Sequence, residues 1–273
     1  MFKTRLLSGI VLVAVALLTI CSGGAVLFAT TWIISLIGMR ELYRAMGVHR
    51  DRTGLLEMAG YGAVTLYYAA MYAGEFYQLM AVLAAVILVM CVYVFTYPRY
   101  RAEEVMAAAF GVLYVGVMLS CVYLTRELPG GAWHVWLILL CSWGCDTCAY
   151  CAGMLFGKHK MAPVLSPKKS VEGAVGGVAG AALLGVLYAL AANHFGNLQA
   201  SPLTYALICA VGALISMVGD LAASAIKRNR NIKDYGKLIP GHGGILDRFD
   251  SVIFTAPIIY FLSVLLLGNG GAF

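Results

Sequence analysis

Ser216, Asp220, Ser224 and Lys227 recur at intervals of four, four and three residues within an apolar stretch, so a helix gathers them into one polar stripe. Asp220 and Lys227 stand seven apart, beyond the one-turn spacing at which helix neighbours meet, which leaves the acid for a partner other than Lys227. The run KRNRNIKDYGKLIPGHGG follows from Lys227 to Gly244. In it Lys227, Arg228, Arg230, Lys233 and Lys237 precede a Pro-Gly-His-Gly-Gly turn whose glycines let the backbone approach a ligand closely. Asp247 and Asp250 then fall three apart on one face of a helix start, with Arg248 between them. Two acids there could simply complement the helix dipole. Together with Asp220 they could also hold a hard divalent cation such as Mg2+, which prefers carboxylate oxygen and substrate phosphate. Cations, acids and flexible glycines in one place are what phosphoryl or nucleotidyl transfer requires, because metal and Lys or Arg charge together neutralise nucleotide phosphates. His242 is read as a phosphate contact or an orienting residue, since a phosphate nucleophile is already an anion and needs no general base.

A second group lies upstream. Asp146 shares a helical face with Tyr150, Gly153 and Gly157 inside another apolar stretch, where a carboxylate is costly unless it faces the bundle interior or a wet cavity. Cys141, Cys145, Cys148 and Cys151 occupy the opposite face, within about 120° of one another. One rigid helix cannot wrap four thiolates tetrahedrally around an ion, so they are read as packing residues. The loop GKHKMAPVLSPKKSVEG comes next, with Lys158, Lys160, Lys168 and Lys169 as ammonium donors. Ser166 to Ser170, with Glu172 and Gly173 opening the next helix, reads as a helix N-terminus ready for an anion; the plainer alternative is a basic membrane-flanking loop without a ligand.

These residues need elements to position them, and the composition says which kind. Of 273 residues 62% are hydrophobic and only 12% charged, with a mean hydropathy of +0.86, which excludes an ordinary soluble domain. Lipid-length apolar segments fall at roughly 6–22, 25–39, 55–73, 77–97, 105–124, 132–156, 172–193, 202–226 and 249–268. The second is cut short by Arg40, Glu41 and Arg44 and could continue as an interfacial helix through Tyr43 and Met46. The first is read as a retained span rather than a cleaved signal. The expectation is an all-α integral membrane protein of about nine transmembrane helices. Residues 1–130 form an N-terminal scaffold of five spans and 131–273 a catalytic region of four, in one continuous membrane domain.

Orientation follows from the cations. With nine spans, every Lys and Arg except Arg126 falls on one face, including Lys3, Arg5, Arg50, Arg52, Arg99 and Arg101. That places the N-terminus and both candidate site loops in the cytoplasm and the C-terminus outside, in a cell membrane. The net charge of +6 is carried by these loops, so anionic lipid headgroups or a phosphorylated substrate are the partners it suits, not nucleic acid. The eight cysteines lie in apolar runs and do not form a secreted disulfide framework.

The run from Ser224 to Asp250, S-x-x-K-R-x4-K-D-x-G-x2-I-P-x-H-G-G-x-x-D-R-x-D, resembles the signature of the phosphatidate cytidylyltransferases, the CDP-diacylglycerol synthases. Asp146-Thr147-x-Ala149-Tyr150 and GKHK…SPKKS-x-E-G resemble a second block of that family, so the likeness covers about residues 140–255 closely and the earlier spans in hydropathy alone. The resemblance implies that CTP and phosphatidate give CDP-diacylglycerol and pyrophosphate. It implies Asp220 and Asp247 as ligands of Mg2+, alone or with a second cation. Lys227, Arg228, Lys233 and Arg248 would hold phosphates, with Lys168 and Lys169 reaching in from the other loop. Ser224, His242, Asp146 and Asp250 complete the substrate-binding set, and a homodimer is implied. Met154 stands where the family usually carries a cation, which puts a phosphate contact there in doubt, and Ser170 replaces a usual Thr while keeping the hydroxyl. Two other functions fit the same composition: a lipid-alcohol kinase taking the terminal phosphate of CTP, and an anion transporter. The absence of inverted repeats argues against transport, and the absence of D-G-x-x-A-R argues against a CDP-alcohol phosphotransferase.

Overall fold

The computed structural model describes residues 2–49, 53–196 and 198–267, and nearly all of them lie in nine helical rods. They are α1 (Phe2–Ser22), α2 (Gly24–Met46), α3 (Leu55–Met71), α4 (Glu75–Phe95), α5 (Ala102–Glu127), α6 (Gly131–Phe156), α7 (Val171–Gly196), α8 (Pro202–Asn229) and α9 (Leu246–Leu266). Each falls on one of the apolar segments expected from the sequence. All but α1 and α3 are both long and apolar enough to cross a membrane. The protein is therefore a helical, multi-pass membrane protein. The side chains of Lys3 and Arg5, and Arg50 and Arg52 altogether, lie outside the described residues.

Helix α2 continues through Tyr43 to Met46, the continuation that the sequence left open, and ends at Gly47 with φ +81°, the left-handed cap that glycine supplies. It continues because Glu41 and Tyr43 are buried in protein while Arg40 and Arg44 stay exposed. The segment Ser166–Ser170 is not a helical turn but strand β2, paired antiparallel with β1 (Lys160–Ala162) as a small hairpin. The helix after it begins at Val171, and Ser170 Oγ accepts the Gly173 N–H at 3.1 Å as its cap.

Contacts divide the chain into two compact units. The first comprises residues 1–19, 25–120 and 229–248, so the glycine loop and the first turn of α9 belong with the N-terminal helices. Its centre is Tyr43, fully buried, with its hydroxyl donating to the Ala108 carbonyl at 2.8 Å. Gly60 and Gly111 make room for that side chain: a Cβ at Gly60 would collide with its hydroxyl and one at Gly111 with its ring.

The second unit comprises residues 20–24, 121–228 and 249–273. Its helices close on glycines and alanines, as expected where packing rather than apolar transfer drives association in lipid. Cβ atoms at Gly176 and Gly180 of α7 would come 2.2 Å from Ala152 and 2.5 Å from Cys148 of α6, and Gly212 of α8 leaves space for Cys141. The four cysteines of α6 are therefore packing residues or, at Cys151, exposed; all are free thiols. A π-helical stretch, Leu140–Gly144, interrupts α6 two residues before Asp146 and so sets the direction in which that carboxylate leaves the helix.

Candidate active site

In the second unit, α6, the β-hairpin, the start of α7 and the middle of α8 enclose a pocket of about 400 Å3. Asp146 and Tyr150 enter it from α6, Lys168 and Lys169 from β2, and Asp220 from α8. Lys169 and Asp220 form an ion pair whose side chains are 24% and 27% exposed, so each is shielded enough to matter and still reachable by a ligand. Lys168 is exposed at the rim. Asp250, on α9 but in this unit, lies within electrostatic reach of Asp220, Asp146 and Lys227. Three acids spread around two lysines are thus brought together from stretches of sequence more than a hundred residues apart.

The hairpin is held in place by Glu172, His159 and the glycines at its two ends. Glu172 Oε2 accepts the backbone N–H groups of Lys158 and His159 at 3.1 and 3.2 Å, and its Oε1 meets His159 Nδ1 at 2.5 Å. Gly157 and Gly173 allow Ser170 to approach: a Cβ at those positions would fall 2.8 and 3.0 Å from Ser170 Oγ. Met154 lines the same pocket and is 66% exposed, so an apolar thioether forms part of its wall.

In the first unit the glycine loop is folded, not free. Ile239 and Gly243 bridge, His242 N–H donates to the Ile239 carbonyl at 2.9 Å, and Gly243 takes φ +91°, which a side chain would strain. Asp247 is 7% exposed, and its Oδ2 accepts both the Tyr235 N–H at 2.8 Å and the Gly244 N–H at 2.9 Å. His242 Nδ1 bonds Ser8 Oγ at 2.8 Å, and the Ser8 hydroxyl lies 3.0 Å from the Pro240 carbonyl. His242 and the Pro240 carbonyl thus tie this turn to Ser8 of α1. Arg228, Lys233 and Lys237 are exposed, and Arg248 is half-buried. Ser224 is half-buried one turn beyond Asp220 and does not line the pocket.

Among the described residues, no group of three His, Cys, Asp or Glu side chains converges on a single point. That donor set does not suit an ion needing an all-protein cage. It does suit Mg2+, which keeps waters and is completed by one or two carboxylates and substrate phosphate. Asp220 lines the pocket as one such carboxylate would, and below it on α8 the buried Ser216 Oγ has no hydrogen-bond partner among the described residues.

A polytopic helical membrane protein with paired lysines and acids around one pocket has the features expected of a membrane enzyme that handles phosphorylated substrates. Comparison with known sequences makes that class specific: residues 3–266 match the model of the cytidylyltransferase family. The chain is 32% identical over 266 residues to a phosphatidate cytidylyltransferase of Staphylococcus epidermidis, covering 96% of this chain and 99% of that one. It is likewise 32% identical over 263 residues to one from Staphylococcus aureus and 30% identical to one from Staphylococcus saprophyticus, at the same coverage. The chain belongs to the cytidylyltransferase family.

Proposed function

We propose that this chain transfers the cytidylyl group of CTP to phosphatidate, giving CDP-diacylglycerol and pyrophosphate, with the pocket between Asp146, Lys169 and Asp220 as the place where the phosphates meet. A phosphate oxygen of phosphatidate attacks the α-phosphorus of CTP. The new P–O bond forms as the bond from the α-phosphorus to its bridging oxygen breaks, and pyrophosphate leaves with that electron pair. The nucleophile is already anionic, so the chain must supply charge and alignment rather than a base.

The observation that carries this is the Lys169–Asp220 ion pair in the pocket wall, in a chain that matches the family along almost its whole length. Lys169 holds Asp220 until phosphate arrives and then turns to the stronger anion, with Lys168 beside it. Lys227, Arg228, Lys233 and Arg248 hold the remaining phosphate charge, and Asp146, Asp250, Ser224 and His242 shape the substrate site. Asp220 and Asp247 are the carboxylates assigned to Mg2+, which when bound neutralises charge on the triphosphate; Asp247 has the additional duty of closing the glycine loop. All nine rods span, the enzyme sits in the cell membrane with this site on the cytoplasmic side, and it works as a homodimer.

The position of label in the product tests the reaction. CTP labelled at the α-phosphate must pass its label to lipid and CTP labelled at the γ-phosphate must not; the reverse outcome would make the protein a lipid kinase, and solute flux without turnover would make it a transporter.

A further inference from the structure

Glu41 is a carboxylate in the middle of the N-terminal half, 5% exposed, with no cation within ion-pair distance among the described residues. A buried charge without a counterion must be satisfied by hydrogen bonds. Glu41 finds them on the far side of the sequence: its Oε1 accepts the Ile245 N–H at 3.0 Å and its Oε2 the Leu246 N–H at 2.8 Å. These are donors at the start of α9 that have no partner within that helix, and the positive end of the helix dipole adds to the attraction. The loop is shaped to receive the group. A Cβ at Gly236 would press on Oε1 and a Cβ at Gly244 on Oε2, so a side chain at either position would push the carboxylate from its place.

We propose that Glu41 is a positioning residue for cytidylyl transfer: together with Asp247 it forms a two-carboxylate clasp that fixes the glycine loop. Asp247 fastens Tyr235 to Gly244 from within the loop, and Glu41 fastens the adjoining Ile245 and Leu246 to α2 from outside. The residues so fixed include His242 and the first turn of α9, where Asp247 and Arg248 stand. This inference rests on the reaction proposed above, because only there does the geometry of the loop set a rate. The division of labour between the two oxygens makes the clasp dependent on having two acceptors. A glutamine keeps the shape but offers one acceptor, and its amide nitrogen would face the second N–H group.

The test uses the full-length protein in lipid nanodiscs, with hydrogen exchange of peptides covering 235–247 read beside steady-state kinetics. Glu41→Gln is expected to speed exchange in that segment at least tenfold while α3 and α7 stay protected. It should lower kcat ten- to a hundredfold, with the KM for CTP changing less than threefold, as for a misplaced rather than a missing group. Glu41→Asp, which restores both acceptors on a shorter stem, should recover part of that loss. Gly244→Ala presses on the clasp with Glu41 intact and should give the same exchange signature even if Glu41→Gln fails to insert. The double variant should be no worse than the poorer single one. Unchanged exchange in Glu41→Gln, or in Gly244→Ala where Glu41→Gln does not insert, overturns the clasp, as does Glu41→Gln activity within twofold of wild type. Wild-type protein that makes no CDP-diacylglycerol would overturn the reaction instead, and the exchange result would still judge the clasp.

Discussion

Asp247 is assigned two duties, and the structure separates them. Both loop hydrogen bonds end on the same oxygen, Oδ2, at 2.8 and 2.9 Å. Asp247→Asn can therefore place its one carbonyl oxygen there and keep both bonds while losing the charge. Exchanging two charge-assisted bonds for two neutral ones costs about 1–3 kcal/mol of stability. Asp247→Ala leaves both buried N–H groups without an acceptor and should cost more, about 2–6 kcal/mol. If the charge also holds Mg2+, the two variants will diverge in stability but not in activity, each losing at least about a thousandfold in kcat, as expected when a metal ligand and its phosphate-neutralising ion are lost. The assay is thermal unfolding in detergent beside CDP-diacylglycerol formation at saturating CTP. An Asp247→Asn enzyme with more than a tenth of wild-type kcat would refute the metal assignment and leave Asp247 as a loop clamp alone.

Lys169→Met should lower kcat/KM about ten- to a hundredfold, the worth of one charge-assisted phosphate contact, and a loss under twofold in the same assay would remove Lys169 from the site. Met154→Lys should lower the KM for CTP severalfold at low salt, an advantage that fades at high salt because the position is open to solvent; a salt-independent change would point to packing instead. Gly176→Leu should destabilise the second unit by several kcal/mol or prevent its assembly, since even a Cβ would lie 2.2 Å from Ala152, and an unchanged unfolding temperature would contradict the α6–α7 packing described above.

The helices were legible from the sequence because a lipid-spanning run of apolar residues has few alternatives to a helix. The polar stripe on α8, a cavity for Asp146 and the packing role of Cys141 and Cys145 were legible from helical periodicity. The partner of Asp220 was not. Lys169 reaches Asp220 through a hairpin whose two prolines, Pro163 and Pro167, made it read as a loop rather than as strands. Glu41 was hidden for a different reason. Beside Arg40 and Arg44 it looked like the polar end of a span, and nothing local tells that the arginines face outward while the acid turns inward to bond amides two hundred residues away. A charged residue followed by buried Leu42 and Tyr43 was the available signal, since a helix that really ended there would not resume an apolar face.

The central claim is that this chain joins CTP to phosphatidate at the pocket holding Asp220. The most direct measurement is the lipid product formed by purified protein from those two substrates, with and without Mg2+, in wild type and in Asp220→Asn. The account predicts CDP-diacylglycerol and pyrophosphate in equal amounts from wild type with Mg2+, and neither from the chelated enzyme nor from an Asp220→Asn protein that still inserts. Equal product from Asp220→Asn, or a phosphorylated lipid with CDP in place of pyrophosphate, would contradict it.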